Sequence, residues 1–460
     1  MILRALKDRA FITKALSIGF PIIIQQLLLT TFGIVDTVMV GSISRGVAGV
    51  GLASQISMVA GTIIFGINVG VGLYIAQFMG KVEEDNIKRS FSLMLMMCFG
   101  IASIFTYLGV FHGEAILRIF SQDQEAIQIA NSYLKIAALS YIPNMLSFSF
   151  AVAYRNIQKT KVPLMVSIIA MVTNVTLNYF LIFGIWIFPE LGIRGAAIAT
   201  VISTTIGFVF HIIYANITKQ IIAPKVHHFF EGLHRSFSMP IIRRTIPFML
   251  NETLFSIGTA LYVVIFNRLG TDAYEGYRIA ETVVSIMFVV GMGLSTATSA
   301  MIGQELGRSN YAKAKEYGDN FLSLGIIVAL ALGGLNAVLA RPLVSIFQNS
   351  NPVVIQNAIS VMYVFGLRIA LRIFVVILFS IFRAGGKSKF VMFIDAGVMW
   401  IVGLPMAYIS YNYFGITNIA TLFLILQLEP IFRILISLTA YFKNTWQANI
   451  IQNISVKRSK

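Results

Sequence analysis

The chain has 460 residues, of which 57% are hydrophobic and 12% charged, with a mean hydropathy of +0.81. A soluble chain carries about 25% charged residues, so a soluble globular protein is excluded and a polytopic membrane protein is indicated. The net charge of +16 does not point to nucleic acid, because the basic residues are scattered through short loops and form no stripe.

Twelve long apolar segments follow one another, at about 15–43, 48–79, 88–111, 126–154, 162–188, 191–215, 241–268, 272–305, 316–340, 354–382, 389–412 and 416–442. Each is long enough to cross a bilayer as a helix, which takes about 20 residues. The first is too long for a signal-peptide core, and no small-residue cleavage site follows it. Cys98, the single cysteine, lies in the third segment and reads as a small core residue. The longest connection, near Thr218 to Pro240, divides the chain almost in half and reads as a linker. The halves are therefore expected at 1–220 and 221–460.

Loop charge predicts orientation. Lys81, Lys88 and Arg89, then Arg155, Lys159 and Lys161, then the central linker, then Arg308, Lys313 and Lys315, then Arg383, Lys387 and Lys389 share one side with both termini. The other side holds Arg45, Arg118, Lys135, Arg194, Arg268, Arg278 and Arg341. The balance, roughly 25 against 7, predicts that both termini are cytoplasmic.

The halves repeat. Pro21 with Gln25-Gln26 matches Pro247 with Asn251-Glu252, and Arg155-x-x-x-Lys159-Thr160-Lys161 matches Arg383-x-x-x-Lys387-Ser388-Lys389. Six spans per half make the repeats parallel, related by a pseudo-twofold axis along the membrane normal, with a substrate path between them. The expected fold is all-α: twelve transmembrane helices in two six-helix bundles.

Asp36 is the one carboxylate in its apolar segment. A charge at the bilayer centre costs about 2.5–3.5 kcal/mol, so Asp36 is expected to face the protein interior and to bind a cation or proton. Asn174 and Asn178 stand four residues apart on one helix face. Counted at 1.5 Å per residue, Asp36, Asn178 and Thr200 reach depths that agree within about 5 Å. A carboxylate, two amide oxygens and a hydroxyl are hard oxygen ligands suited to an alkali cation; the competing reading is an interhelical hydrogen-bond cluster.

The segment Pro21…Asp36-Thr37-Val38-Met39-Val40-Gly41, with Gly51-Leu52-Ala53, Gly195-Ala196-Ala197-x-Ala199-Thr200 and Gly303-Gln304-x-x-Gly307, resembles the MATE (multidrug and toxic compound extrusion) transporters, close to their NorM-like branch. The likeness covers about Ala15 to Tyr441. It implies a secondary exporter in the cell membrane. Drug-like cations would be exchanged for Na⁺ or H⁺ as two lobes alternate, with no cofactor beyond the coupling ion, no nucleic-acid partner and a monomer in membrane lipid. It also implies that Asp36, Asn174, Asn178 and Thr200 form the amino-lobe cation site, with Na⁺ on the first three. Glu252 matches an acidic position of that branch.

In the carboxyl half Arg368 and Arg372 share one face of the tenth span. Glu252 and Asp395 are expected to balance them, and both a structural ion-pair network and a coupling or substrate role for these four residues stay open. Glu281 and Glu429 are further acids within spans. A lipid-linked saccharide flippase of the same superfamily is the alternative function, kept open by the arginine pair. An intramembrane enzyme is more remote. Ile381–Ser388 ends like a phosphate-binding loop but lacks its first glycine and follows a membrane helix, so no nucleotide site is expected.

Overall fold

The computed structural model describes residues 7–41, 43, 46–347, 351–452 and 454. Arg45 of the loop-charge pattern lies outside the described residues, as do the basic residues Arg4, Lys457, Arg458 and Lys460 near the two termini. Among the described residues every regular element is helical, and twelve helices are long and apolar enough to span a membrane. They are α1 (Arg9–Gly41), α2 (Gly46–Lys81), α3 (Glu84–Phe111), α4 (Gln124–Asn156), α5 (Lys161–Phe183), α6 (Ile193–Ile217), α7 (Arg235–Asn267), α8 (Thr271–Gly307), α9 (Tyr311–Phe347), α10 (Pro352–Ala384), α11 (Ser388–Asn412) and α12 (Ile419–Phe442). The expected all-helical, twelve-span fold is what the structure has.

Two compact units form. One comprises Ile24–Thr245 with Ile454–Lys460, and the other Met1–Ile23 with Ile246–Asn453. Both α1 and α7 are therefore shared. The opening turns of α1 belong with the carboxyl-terminal half of the chain, and those of α7 with the amino-terminal half.

Close helix approach inside a membrane relies on small residues, because lipid tails leave little hydrophobic gain to drive association. Gly333 on α9 meets Gly366 on α10, where an added Cβ would fall 2.6 Å from the Gly366 carbonyl oxygen. Gly195 does the same between α6 and α5, where a Cβ would fall 2.5 Å from Leu181 O. That contact sets the α5–α6 spacing next to the Asp36 site.

Three features were not foreseen. The linker contains a short helix, Val226–Leu233, tied to α3 by Arg89 and Glu231 at 2.7 Å. In α11, Met399–Gly403 is a π-helical turn, a form frequent at functional sites. The last span is also interrupted, at Leu426-Gln427, just before Glu429-Pro430. Pro430 is tolerated there because the first turn of a helix has no amide to satisfy within the helix.

Candidate functional site

Asp36 sits near the end of α1, half-buried, opposite the fully buried Asn178 of α5. Asn178 Nδ2 donates to Asp36 Oδ1 at 2.7 Å and to Asn174 Oδ1 at 2.8 Å. Asn174 Nδ2 in turn donates to Ser203 Oγ at 3.2 Å and to Thr200 Oγ1 at 3.4 Å, both on α6. The four residues singled out in the amino half are thus one connected cluster on three helices. The amide of Asn178 leaves its own Oδ1 buried and unpartnered. A buried acceptor without a donor is costly, and a cation or an added proton would satisfy it. The oxygen set is hard and carries one negative charge, which fits Na⁺ or H⁺ and not a thiolate- or imidazole-seeking metal.

Two members were missed. Ser203 was detectable as Thr200-x-x-Ser203 on one helix face. Tyr133 of α4 carried no sequence signal. Its ring packs against the apolar cluster of Val40, Ile182 and Ala196, with Val40 one helical turn beyond Asp36. Tyr133 and Thr200 also line a cavity of about 410 Å³ with Phe65, Tyr141, Asn144 and Phe148, and no lining side chain bears a formal charge.

In the carboxyl-half unit the expected pairings are corrected. Glu252 is held by Arg383, with Arg383 Nη2 donating to Glu252 Oε1 at 2.8 Å. Asp395 accepts from Arg433 Nη1 at 2.9 Å and from Asn251 Nδ2 at 3.0 Å. Arg433 also grips Glu429, to which Tyr262 donates at 2.5 Å. Among the described residues Arg368 and Arg372 make no ion pair with these acids. Arg383 stands at the end of α10, where loop charge explained it. Side chains tilt toward the helix N-terminus, so its long stem reaches back into the span. Arg433 lies four residues after Glu429, on the same face. Three carboxylates thus share two guanidiniums. Gly403 of the π turn abuts this network, since a Cβ there would overlap Tyr262 Oη and the Glu429 carboxylate.

Arg368 and Arg372 instead border a separate cavity of about 440 Å³ with Tyr277, Arg278, Glu281 and Phe288. Glu281 is taken by Arg278 at 2.6 Å.

A family profile described as MatE matches residues 21–180 and again 247–409. The chain belongs to the MatE family. The two matches begin on Pro21 and Pro247, the prolines that align the internal repeat. Members of the MatE family are transporters and not enzymes, so this is a multi-pass membrane transporter. Among curated relatives, the Thermotoga maritima protein described as "Probable multidrug resistance protein NorM" is 24% identical over 95% of this chain and 94% of its own length. The multidrug resistance protein MdtK of Pectobacterium atrosepticum is 26% identical over 86% and 87%. Among solved structures, a point mutant of the Vibrio cholerae MATE transporter VcmN superimposes with a TM-score of 0.86 at 19% identity, covering 96% of this chain and 98% of that one. A MATE-family transporter of the MOP superfamily in an outward-facing conformation gives a TM-score of 0.85 at 16% identity, covering 94% and 96%. At these identities the superpositions speak to the fold.

Proposed function

We propose that this MatE-family protein is a secondary active exporter that moves small drug-like molecules, organic cations among them, out of the cell in exchange for Na⁺ or H⁺ bound at Asp36. The observation that carries this reading is the Asp36–Asn178–Asn174–Thr200 chain of contacts, which has an unpartnered buried acceptor at its centre and the cavity lined by Tyr133 and Thr200 at its edge. That cavity is aromatic and uncharged, a surface on which an organic cation can lie against ring faces. The relatives described as multidrug resistance proteins support the substrate class.

Coupling follows from charge. Na⁺ and H⁺ compete for one carboxylate, and filling it removes the one formal charge of the cluster. Loss of that charge favours one arrangement of the transporter over the other, so that binding outside and release inside drive the cycle. A membrane potential of 100 mV contributes about 2.3 kcal/mol for each charge moved, enough to bias a two-state equilibrium about fiftyfold. In this reading the protein lies in the cell membrane as a monomer with both termini cytoplasmic.

The test is dye efflux from proteoliposomes under an imposed Na⁺ or H⁺ gradient. Efflux that accelerates with at least one gradient and collapses when that gradient is dissipated supports antiport. Efflux indifferent to both contradicts it.

A further inference from the structure

We propose that the cavity beside Arg368 and Arg372 binds the anionic group of an amphiphilic organic anion, a carboxylate, phosphate or sulfonate on an aromatic body. Both arginines lie on one face of α10, well inside the span. Among the described residues neither makes an ion pair or donates a hydrogen bond. Each instead holds its guanidinium carbon over a ring, Arg372 over Phe288 at 4.1 Å from the centroid and Arg368 over Phe423 at 5.0 Å. A guanidinium held over a ring spends none of its N–H groups on an acceptor, and its N–H edge is the part shaped for bidentate contact with a carboxylate or phosphate.

Two like charges four residues apart weaken a helix, and an uncompensated charge within a span is costly. Among the described residues no carboxylate pairs directly with either arginine. Glu281, the one carboxylate on the cavity wall, is held by Arg278 at 2.6 Å and by the Tyr277 hydroxyl at 3.3 Å. The other acids of this unit's spans that pair with arginine, Glu252, Asp395 and Glu429, are engaged by Arg383 and Arg433. The cavity wall therefore presents two arginines that no carboxylate among the described residues contacts. Its volume of about 440 Å³ is within the range of small-molecule pockets, roughly 300–1,000 Å³. Tyr277, Phe288 and Phe365 supply ring surface for the ligand body. The cavity beside Asp36 has no charged side chain in its lining, so the two cavities differ in charge.

This deepens the exporter reading by naming a second substrate class, and the binding step can be examined without any gradient. Full-length protein in phosphatidylcholine nanodiscs is titrated with dansylglycine, an anionic carboxylate, and with dansylglycinamide, which has the same body without the charge. Dansylglycine is expected to bind the more tightly, and to weaken as salt is raised. Arg368→Gln and Arg372→Gln should each weaken it about tenfold, as for loss of a charge-assisted hydrogen bond, with little change for dansylglycinamide. Arg372→Lys should retain part of the affinity, which guards against misfolding of the Gln variants. Asp36→Asn should bind dansylglycine as wild type does, whether or not it transports, so failure of coupling is distinguishable from failure of this site. Equal affinity for the two probes in wild type overturns the proposal. So does unchanged dansylglycine affinity in a well-folded double Gln variant. A repeat in nanodiscs containing phosphatidylglycerol separates the sources of the anion. Retained binding supports a soluble ligand, and full displacement shows that the arginines hold lipid headgroups, which overturns the solute assignment.

Discussion

Arg383 grips Glu252 at 2.8 Å, and its counterpart in the other half, Arg155, donates to Gln25 Oε1 at 2.7 Å. In each half an arginine near the end of the fourth span reaches back to the polar pair that follows the proline of the first span. The repeat is thus preserved as an interaction as well as a spacing. What differs is the acceptor, neutral in one half and charged in the other. Removing one partner of a buried pair strands the other. Glu252→Gln and Arg383→Gln are each expected to lower stability by on the order of 3 kcal/mol. The double variant should lose less than the sum, read from thermal melts as a double-mutant cycle. Strict additivity would mean that the pair does not couple.

Gly403 has no room for a side chain. In Gly403→Ala the new methyl must push Tyr262 or Glu429 aside, so the variant should lose about 1–3 kcal/mol of stability, as for overpacking of a core. Combining it with Tyr262→Phe, which removes the nearest atom, should recover part of that loss in the same melting assay. No recovery would place the strain elsewhere in the π turn.

The linker helix introduces a pH dependence. His228 is buried, and burial, followed by its neighbour His227, holds its ring pKa below the usual value, against a smaller pull from Asp85. Its Nδ1 accepts the Lys225 backbone N–H at 2.9 Å, a bond that needs the neutral ring. With the folded value lowered, the unfolded chain binds the extra proton first. The stability contributed by His228 is therefore present above the unfolded-state pKa of about 6.5 and lost as pH falls below it. Melting temperature should drop between pH 7 and pH 5, and His228→Gln should flatten that slope. An unchanged slope would remove His228 from the account.

Orientation remains a prediction from loop charge. In a Cys98→Ala background, a cysteine at the exposed Gln122 should react with an impermeant reagent from outside, and one at the exposed Lys161 only from inside. The reverse pattern would invert the topology.

Much of this was legible in the sequence for physical reasons. A bilayer demands long apolar runs, so twelve spans could be marked by length alone. Asn174 and Asn178 announced a shared face by their spacing, and Asp36 by the cost of its charge. Arg383 was illegible as an ion-pair partner because loop charge already explained it, and only side-chain reach shows otherwise. Tyr133 and Thr200 line one cavity from different helices, a relation that no spacing along the chain encodes. The helix Val226–Leu233 was hidden because eight residues within a basic connection show too little periodicity, and the π turn of α11 leaves the apolar pattern intact.

The direct test of the central claim is Asp36→Asn. The substitution keeps the shape and a partner for Asn178 but removes the charge that a coupling ion would need. Gradient-driven efflux is measured in proteoliposomes under separate Na⁺ and H⁺ gradients, with folding checked by elution and melting. Asn178→Ala, which removes a neutral oxygen, should weaken the apparent affinity for the coupling ion about tenfold without abolishing transport. Asp36→Asn should insert and fold as wild type does, yet fall to the efflux of protein-free liposomes under both gradients. Wild-type efflux from folded Asp36→Asn under both would contradict the assignment of Asp36 as the coupling residue.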